Sequence, residues 1–458
     1  MDRSTVTCHS VGWNREFFPA EWRSPLNRPY VTRFAHALRN VFSSRTLVAV
    51  GRATGHCRRL RTVTPQRLVC ALVESLGAYR VRTIADILRT FNAQNGLAVR
   101  YKAFHNRLAR AEFAVFMREV YQSILRDLSQ KVLRSALGQN LRHFSDIVVQ
   151  DGSSFAVHDG LAGIFGGRFT KNRPAAVELH AFQSVLQDQA VQVQLAPDKQ
   201  GERDFLPKPE ALKGMLLLAD RGYASLEYFE QVIAAGGSFL MRIKTNINPR
   251  VLRVHGCGRR LPRHEGYRLR DALRWLPRQR LDLDVEWDRP EGGTLQLRLV
   301  LIWVPDNNQY TMLVTNVSRS RLSARQAAEV YRLRWQIELM FKEWKSHCNL
   351  HEFDSTKPAL VEGLIWASLC AAALKRSLAH AGQRSGAPVP LSTQVTAMCG
   401  PHILPDLLRC ALRHFRGLTA VVEKILLYLW ENARRAHPQR DRARGKMRFG
   451  LNYVGMGA

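Results

Sequence analysis

The chain runs to 458 residues, too long for one compact core, so two or three domains are the default. A hydrophobic content of 46% is that of a globular protein and excludes a disordered tail. Lys and Arg number 68 against 38 Asp and Glu, a formal net charge of +30 spread along the chain. Such a field attracts polyanions, with nucleic acid the first partner to consider and an acidic membrane surface the second.

The eight cysteines form no CxxC pair, so free thiols in a reducing cytosol fit better than a zinc ribbon or a disulfide framework. The N-terminal MDRSTVTCHSVGWNREFF lacks the continuous apolar run of a signal peptide, and GLIWASLCAAAL at 363–374 is too short to span a bilayer. A soluble, cytoplasmic, nucleoid-associated protein with no membrane partner is expected.

In chain order, residues 1–138 read as a helical, DNA-binding region. TPQRLVCALVESLG offers Thr64 as an N-cap, Pro65 at the first helical position and Gly77 as a stop. TIADILRTF, capped by Thr83, is followed by the polar break NAQNG and the basic VRYKAFHNRLAR. Residues 83–110 thus have the outline of a helix-turn-helix, its second helix carrying Arg100, Lys102, Arg107 and Arg110 toward phosphates and base edges. A plain helical bundle with a solvated basic face gives the same pattern.

Residues 139–356 have the periodicity of an α/β domain with a mixed sheet. DIVVQD, VELHAFQSVLQ and AVQVQLAPD read as consecutive strands, followed by MLLLAD, the helix SLEYFEQVIAAGG and the strand SFLMRIKT. A β insertion at about 246–318 contains LDLDVEWD, which alternates apolar and acidic residues, then TLQLRLVLIWVP and TMLVTNV. Residues 357–458 return to helix and end in the basic stretch ARRAHPQRDRARGKMR.

Before that return, Ser323 and Gln326 form a capping box for a helix that can run unbroken to about 346. At about 100° per residue, Tyr331, Arg334, Glu338 and Lys345 fall within roughly a 60° arc. That arc borders the apolar one of Leu333, Ile337, Met340, Phe341 and Trp344, while Glu343 is expected to face water beside Arg332 and Gln336. Taken alone, Glu338 is half of an i,i+4 ion pair with Arg334.

Two further carboxylates change that reading. Asp151 follows the apolar DIVVQ and precedes Gly-Ser-Ser, and Asp220 follows MLLLA and precedes Arg-Gly-Tyr. Both are expected at strand ends, where a Gly permits a sharp turn and where open α/β sheets bind ligands. Each alone is an ordinary turn residue. Two Asp there and one Glu on a packed helix can converge on hard, oxygen-preferring cations. Two Mg²⁺ ions about 4 Å apart activate a water or a 3′-hydroxyl and stabilise the leaving oxygen of a phosphodiester. Arg334 and Lys345 then offer charge to phosphates, and Tyr331 a ring and a hydroxyl.

The pattern Y-x2-R-x3-E-x6-K, met by Tyr331, Arg334, Glu338 and Lys345, resembles the hallmark of DDE transposases of the insertion-sequence-four family. DGSSFAVHD and ADRGY resemble that family's two aspartate motifs. The resemblance covers roughly 145–350. It implies a ribonuclease-H-like core with catalytic, metal-holding Asp151, Asp220 and Glu338, two Mg²⁺ ions per site (Mn²⁺ as a substitute), and DNA as substrate. It also implies cut-and-paste transposition, with end nicking, often a hairpin at the element's ends, and then strand transfer, within a homodimer that synapses both ends. A Trp of the insertion would hold a flipped base, for which Trp275, Trp287 and Trp303 are the candidates.

Other groupings compete. Asp282, Asp284, Glu286 and Asp288 read as the solvated face of a strand. His347, Cys348 and His351 lack a fourth metal ligand in register. FGGRF at 165–169 lacks the GK[ST] of a nucleotide loop, and Arg168, Lys171 and Arg173 around it read as DNA-backbone contacts. His180 reads as a satisfied core histidine. The rival functions are a DNA-binding repressor or inactive remnant, and a ribonuclease-H-fold nuclease without strand transfer.

Overall fold

The computed structural model describes residues 26–130, 141–244, 248–256, 259–260, 264–289, 292–350 and 353–435. The N-terminal stretch read for a signal segment and most of the basic C-terminal tail lie outside these residues.

Six helices come first: α1 (Arg28–Phe42), α2 (Ser44–Ala53), α3 (Pro65–Ala78), α4 (Ile84–Asn95), α5 (Tyr101–Leu108) and α6 (Ala111–Ile124). Thr64 caps α3 by accepting from Arg67 N at 3.3 Å. Gly77, expected as its stop, lies inside the helix. A Cβ there would stand 2.5 Å from Leu404 and 3.0 Å from Ala371, so the glycine serves close helix packing. The turn after α4 does use a left-handed glycine, Gly96 at φ 60°, and Asn92 bridges it by exchanging hydrogen bonds with Val99.

The sheet follows, with β1 (Ile147–Ala156), β2 (Ala176–Ser184), β3 (Gln189–Pro197), β4 (Leu216–Ala219), α7 (Leu226–Ala234), β5 (Ser238–Arg242), β6 (Arg250–Gly256), β7 (Arg259–Arg260), α8 (Leu269–Ala272), β8 (Leu281–Asp288), β9 (Thr294–Val304) and β10 (Gln309–Thr315). Strand order is β3-β2-β1-β4-β5-β10-β9-β8-β6-β7. The first five strands pair antiparallel through β3-β2-β1 and parallel through β1-β4-β5, the ribonuclease-H-like order. The insertion continues this same sheet, β10 pairing antiparallel with the β5 edge that would otherwise lie open. Strands β6 and β7 leave little mark in the sequence, because VLRVHG is short and carries polar side chains among its apolar ones.

Alternation gives the sheet two cores. Ile147, Val149, Leu216, Leu218 and Leu240 join the helical bundle on one face, whereas Val148, Leu217, Phe239 and Met241 pack with α7 and α8 on the other. Asp282 departs from the expected wet face. It is buried, accepts two hydrogen bonds from Arg298 at 2.9 and 2.8 Å, and pairs with Arg319 at 3.0 Å. Only Asp288 of that row is exposed, and it meets Arg268 at 2.7 Å.

The last helices are α9 (Ala324–Tyr331), α10 (Trp335–His347), α11 (Pro358–Arg384), α12 (Thr393–Met398), α13 (Gly400–Leu412) and α14 (Leu418–Asn432). Helix α11 extends well beyond the apolar run 363–374 and is long and apolar enough to cross a membrane, yet 83% of its most apolar stretch is buried in the protein. It packs against α3 and α6, so the helices before and after the sheet share one core. Lys375 lies wholly inside that core and donates to the carbonyls of Gly77, His347 and Ala397 at 2.8, 2.7 and 3.1 Å.

Glu343 overturns its expected place in water. It is buried and accepts from Arg376 at 2.9 Å, and the same guanidinium donates to Asp188 at 2.6 Å. The extra 3₁₀ turn before α10 and the bulk of α11 carry its face inward. Arg376→Ala would leave two buried carboxylates without their cation, a loss of about 3–5 kcal/mol. Chemical denaturation should show it, and a loss below about 1 kcal/mol, the scale of an exposed pair, would count against a buried network.

Candidate active site

Parity and register bring the two aspartates together. Ile147 to Gln150 pair in parallel with Leu216 to Ala219, so the next residues along, Asp151 and Asp220, stand side by side. Both continue the odd or even series, Ile147 and Val149 or Leu216 and Leu218, that faces the bundle. Asp151, expected at a strand end, lies inside its strand instead; β1 runs on to Ala156 with Asp151 opposite Ala181. Gly152 is therefore no turn residue. A Cβ there would lie 2.6 Å from Glu178 Oε1, so the glycine makes room for a side chain of β2.

The helix predicted from 322 to 346 is interrupted. The capping box of Ser323 and Gln326 opens α9 as expected, but residues Arg332–Arg334 tighten to a 3₁₀ turn before α10 begins. A 3₁₀ turn nearly eclipses residues three apart, and it stacks the Arg334 guanidinium 6.0 Å from the Tyr331 ring. From there Arg334 donates to Asp151 Oδ2 at 3.0 Å and to Glu338 Oε1 at 2.6 Å. The Tyr331 hydroxyl reaches Asp220 Oδ1 at 3.4 Å, and Lys345 Nζ donates to the Ser154 carbonyl of β1 at 2.8 Å. All four residues of the stripe thus turn toward the second half of β1 and the end of β4. Their cations and hydroxyl are engaged with the protein itself.

Three carboxylates with only oxygen donors suit a hard cation rather than zinc. Among the described residues, no three Asp, Glu, His or Cys side chains stand close enough together to hold a metal ion as they are. Arg334 supplies the positive charge between Asp151 and Glu338 instead. Glu338 is the most open of the three residues, so it has room to turn from Arg334.

The remaining candidates separate. Arg168 is taken up by the fold: its guanidinium meets Glu178 at 2.6 Å, the Asp198 carbonyl at 2.7 Å and Glu202 at 3.7 Å. Glu202 leans on Gly222, beside Asp220, so Arg168 ties the loop at 165–174 to the second aspartate motif. Lys171 and Arg173 are exposed on that loop, as Arg100 and Lys102 are at α5, whereas Arg107 and Arg110 are half-buried. The glycines of FGGRF serve a tight loop, since a Cβ on Gly167 would strike the Arg173 carbonyl. His180 is buried and stacks on Phe205 at 3.7 Å, but neither ring nitrogen has a hydrogen-bond partner among the described residues; burial pulls its pKa down to about 4. Cys348 is buried, and His351 lies outside the described residues. Trp287 sits in the core and Trp303 packs against Tyr310 and Arg278, which leaves Trp275, 72% exposed, as the open indole.

Residues 142–374, just over half of the chain, match the family model described as the transposase DDE domain, and the chain belongs to that family. It is similar to the transposase for insertion sequence element IS231F of Bacillus thuringiensis subsp. israelensis, 22% identical over 374 residues, 72% of this chain and 77% of that protein. The transposase for IS1151 of Clostridium perfringens is 21% identical over 287 residues, 53% of this chain and 58% of its own length. A solved piggyBac transposase synaptic complex with hairpin DNA is 11% identical, with 85% of each chain covered and a TM-score of 0.42.

Burial pushes the Asp151 carboxyl up to about 6; Arg334 and the Gly152 N–H oppose the rise, and Glu338 and Asp220 add to it. The folded chain therefore holds this proton more tightly than the unfolded one, whose Asp titrates near about 3.9. Its contribution to stability is full below that value and is lost as pH rises through about 6. Asp151→Asn, which cannot ionise, should flatten this part of the stability curve of the metal-free protein. An unchanged slope between these two pH values would refute the burial of the carboxylate.

Proposed function

We propose that the chain is the transposase of a bacterial insertion sequence, which binds terminal inverted repeats and carries out Mg²⁺-dependent cleavage and strand transfer. The observation that carries this reading is the register that sets Asp151 beside Asp220, with Arg334 joining Asp151 to Glu338. Asp151, Asp220 and Glu338 are the proposed ligands of two Mg²⁺ ions, with Mn²⁺ as a substitute. When bound, the metal would activate a water or 3′-hydroxyl and stabilise the leaving oxygen. Arg334 then releases at least one of its carboxylates and becomes available to a phosphate, as does Lys345 from Ser154. Tyr331 stays against Asp220 and holds the start of the turn that carries it.

Lys171 and Arg173 flank the site as proposed backbone contacts, and Arg100, Lys102, Arg107 and Arg110 are proposed for the terminal repeats. Trp275 is the proposed stacking platform for a flipped base. A homodimer that brings the two ends together is the proposed assembly.

The test is Asp220→Asn on DNA carrying the inverted repeats that flank the gene. Mg²⁺-dependent cutting and joining should disappear while end binding survives within a few-fold. A variant that cuts like the wild type removes the proposed chemistry from this site. A wild type that binds without cutting is a repressor or remnant, and one that cuts without joining is a simple nuclease.

A further inference from the structure

Two cavities of about 850 and 770 Å³ lie side by side far from the three carboxylates in sequence, where α3, α4 and the α13–α14 turn meet. Arg409, Leu412, Arg413 and His414 line both, so the two form one trough. Arg67 of α3 and Arg89 of α4 stand on its facing wall, and Arg416 closes its far end.

Its lining holds two acids, and neither offsets Arg413 or Arg416; on the facing wall Arg89 meets Asp86 of its own helix. Glu74 is buried on the floor, where Gln94 donates to it and burial raises its pKa. Asp406 is already paired with Lys424 at 3.0 Å and Arg409 at 3.4 Å. The side chains of Arg413 and Arg416 are exposed and have no acidic partner among the described residues.

The turn that displays them is strained. His414 and Phe415 are consecutive non-glycine residues in the left-handed region, at φ 57° and 59°, followed by Gly417 at 69°. Such a conformation persists only when its surroundings enforce it, and it gathers at functional sites. Here the anchor is Phe415, buried beneath Arg39, whose guanidinium lies 5.6 Å from the ring and donates to the Phe415 carbonyl at 3.3 Å. With Phe415 pinned inward, Arg413, His414 and Arg416 all project from one tip.

We infer that this trough is a second DNA-backbone site, in which Arg413, His414 and Arg416 face Arg67 and Arg89 across phosphates of a duplex. Guanidinium forks match phosphate oxygens, and those of Arg413 and Arg416 have no ion pair among the described residues to break first. The site joins α4, the first helix of the helix-turn-helix outline, to α13 and α14, so helices from before and after the sheet grip one duplex. The inference rests on the chain being a DNA transposase, although it concerns binding alone.

The test measures binding of full-length protein to duplex DNA of unrelated sequence over a range of salt. Arg413→Ala/Arg416→Ala should weaken binding and make the slope of log K against log salt shallower by about two units, roughly 0.9 for each phosphate that is no longer neutralised. Arg413→Lys/Arg416→Lys should restore most of the slope. Arg52→Ala/Arg118→Ala removes the same charge elsewhere on the bundle and should leave the slope unchanged. An unchanged slope in the first variant, or an equal change in the last, overturns the site. So does displacement of the duplex by inorganic phosphate at constant ionic strength, which would mark a small-anion pocket. Cutting is read separately: a wild type that never cuts but shows the trough-dependent slope defeats the catalytic reading alone.

Discussion

The Arg334 guanidinium lies between Asp151 and Glu338, two carboxylates carried by elements 183 and 4 residues away from it. Two carboxylates that share one guanidinium repel each other in a partly buried setting, and burial has already pushed the Asp151 carboxyl up. A cation held by the fold makes the gathering of three acids tolerable. The rest of the candidate site is arranged so that Arg334 arrives there: the 3₁₀ turn aims it, the Tyr331 ring backs it, and the sheet register places Asp151 beside Asp220.

That register also explains why so few residues suffice to mark the site. Parallel pairing of β1 with β4 puts the residues after their shared ladder at one height, and alternation fixes the face they present. A one-residue slip of either strand would turn its aspartate to the α7 side of the sheet. The apolar residues before each Asp thus determine where the carboxylate points.

Much of this was readable from local pattern. The strands of the first five-stranded half, the capping box before Tyr331 and the three acidic positions follow from periodicity, caps and motif spacing. What escaped depended on partners remote in the chain. Glu343 looks solvent-facing on a uniform helix, and its partner Arg376 is 33 residues on. Asp282 fits a wet strand face until Arg298 and Arg319 fold over it. Gly77 and Gly152 resemble a stop and a turn, yet both answer to atoms on other elements. Arg168 looked like a free cation because three of its partners, Glu178, Asp198 and Glu202, lie beyond any local window.

These long-range ties share a direction. Helix α10 carries Glu338 near its start, Glu343 in its middle and His347 at its end, and each is tied to something different. Arg334 links Glu338 to β1, Arg376 links Glu343 to α11 and the β2–β3 turn, and Lys375 links the His347 carbonyl to α3 and α12. A helix tied at three heights is held most firmly through Glu343 and the His347 carbonyl, whose partners Arg376 and Lys375 are buried and costly to leave unmatched. Its Glu338 end is the more open one. The position of the third carboxylate is therefore set by the helical bundle as much as by the sheet. This accounts for a bundle whose core takes in both ends of the described chain: a looser attachment of either end would reach the helix that carries Glu338 through Lys375 and Arg376.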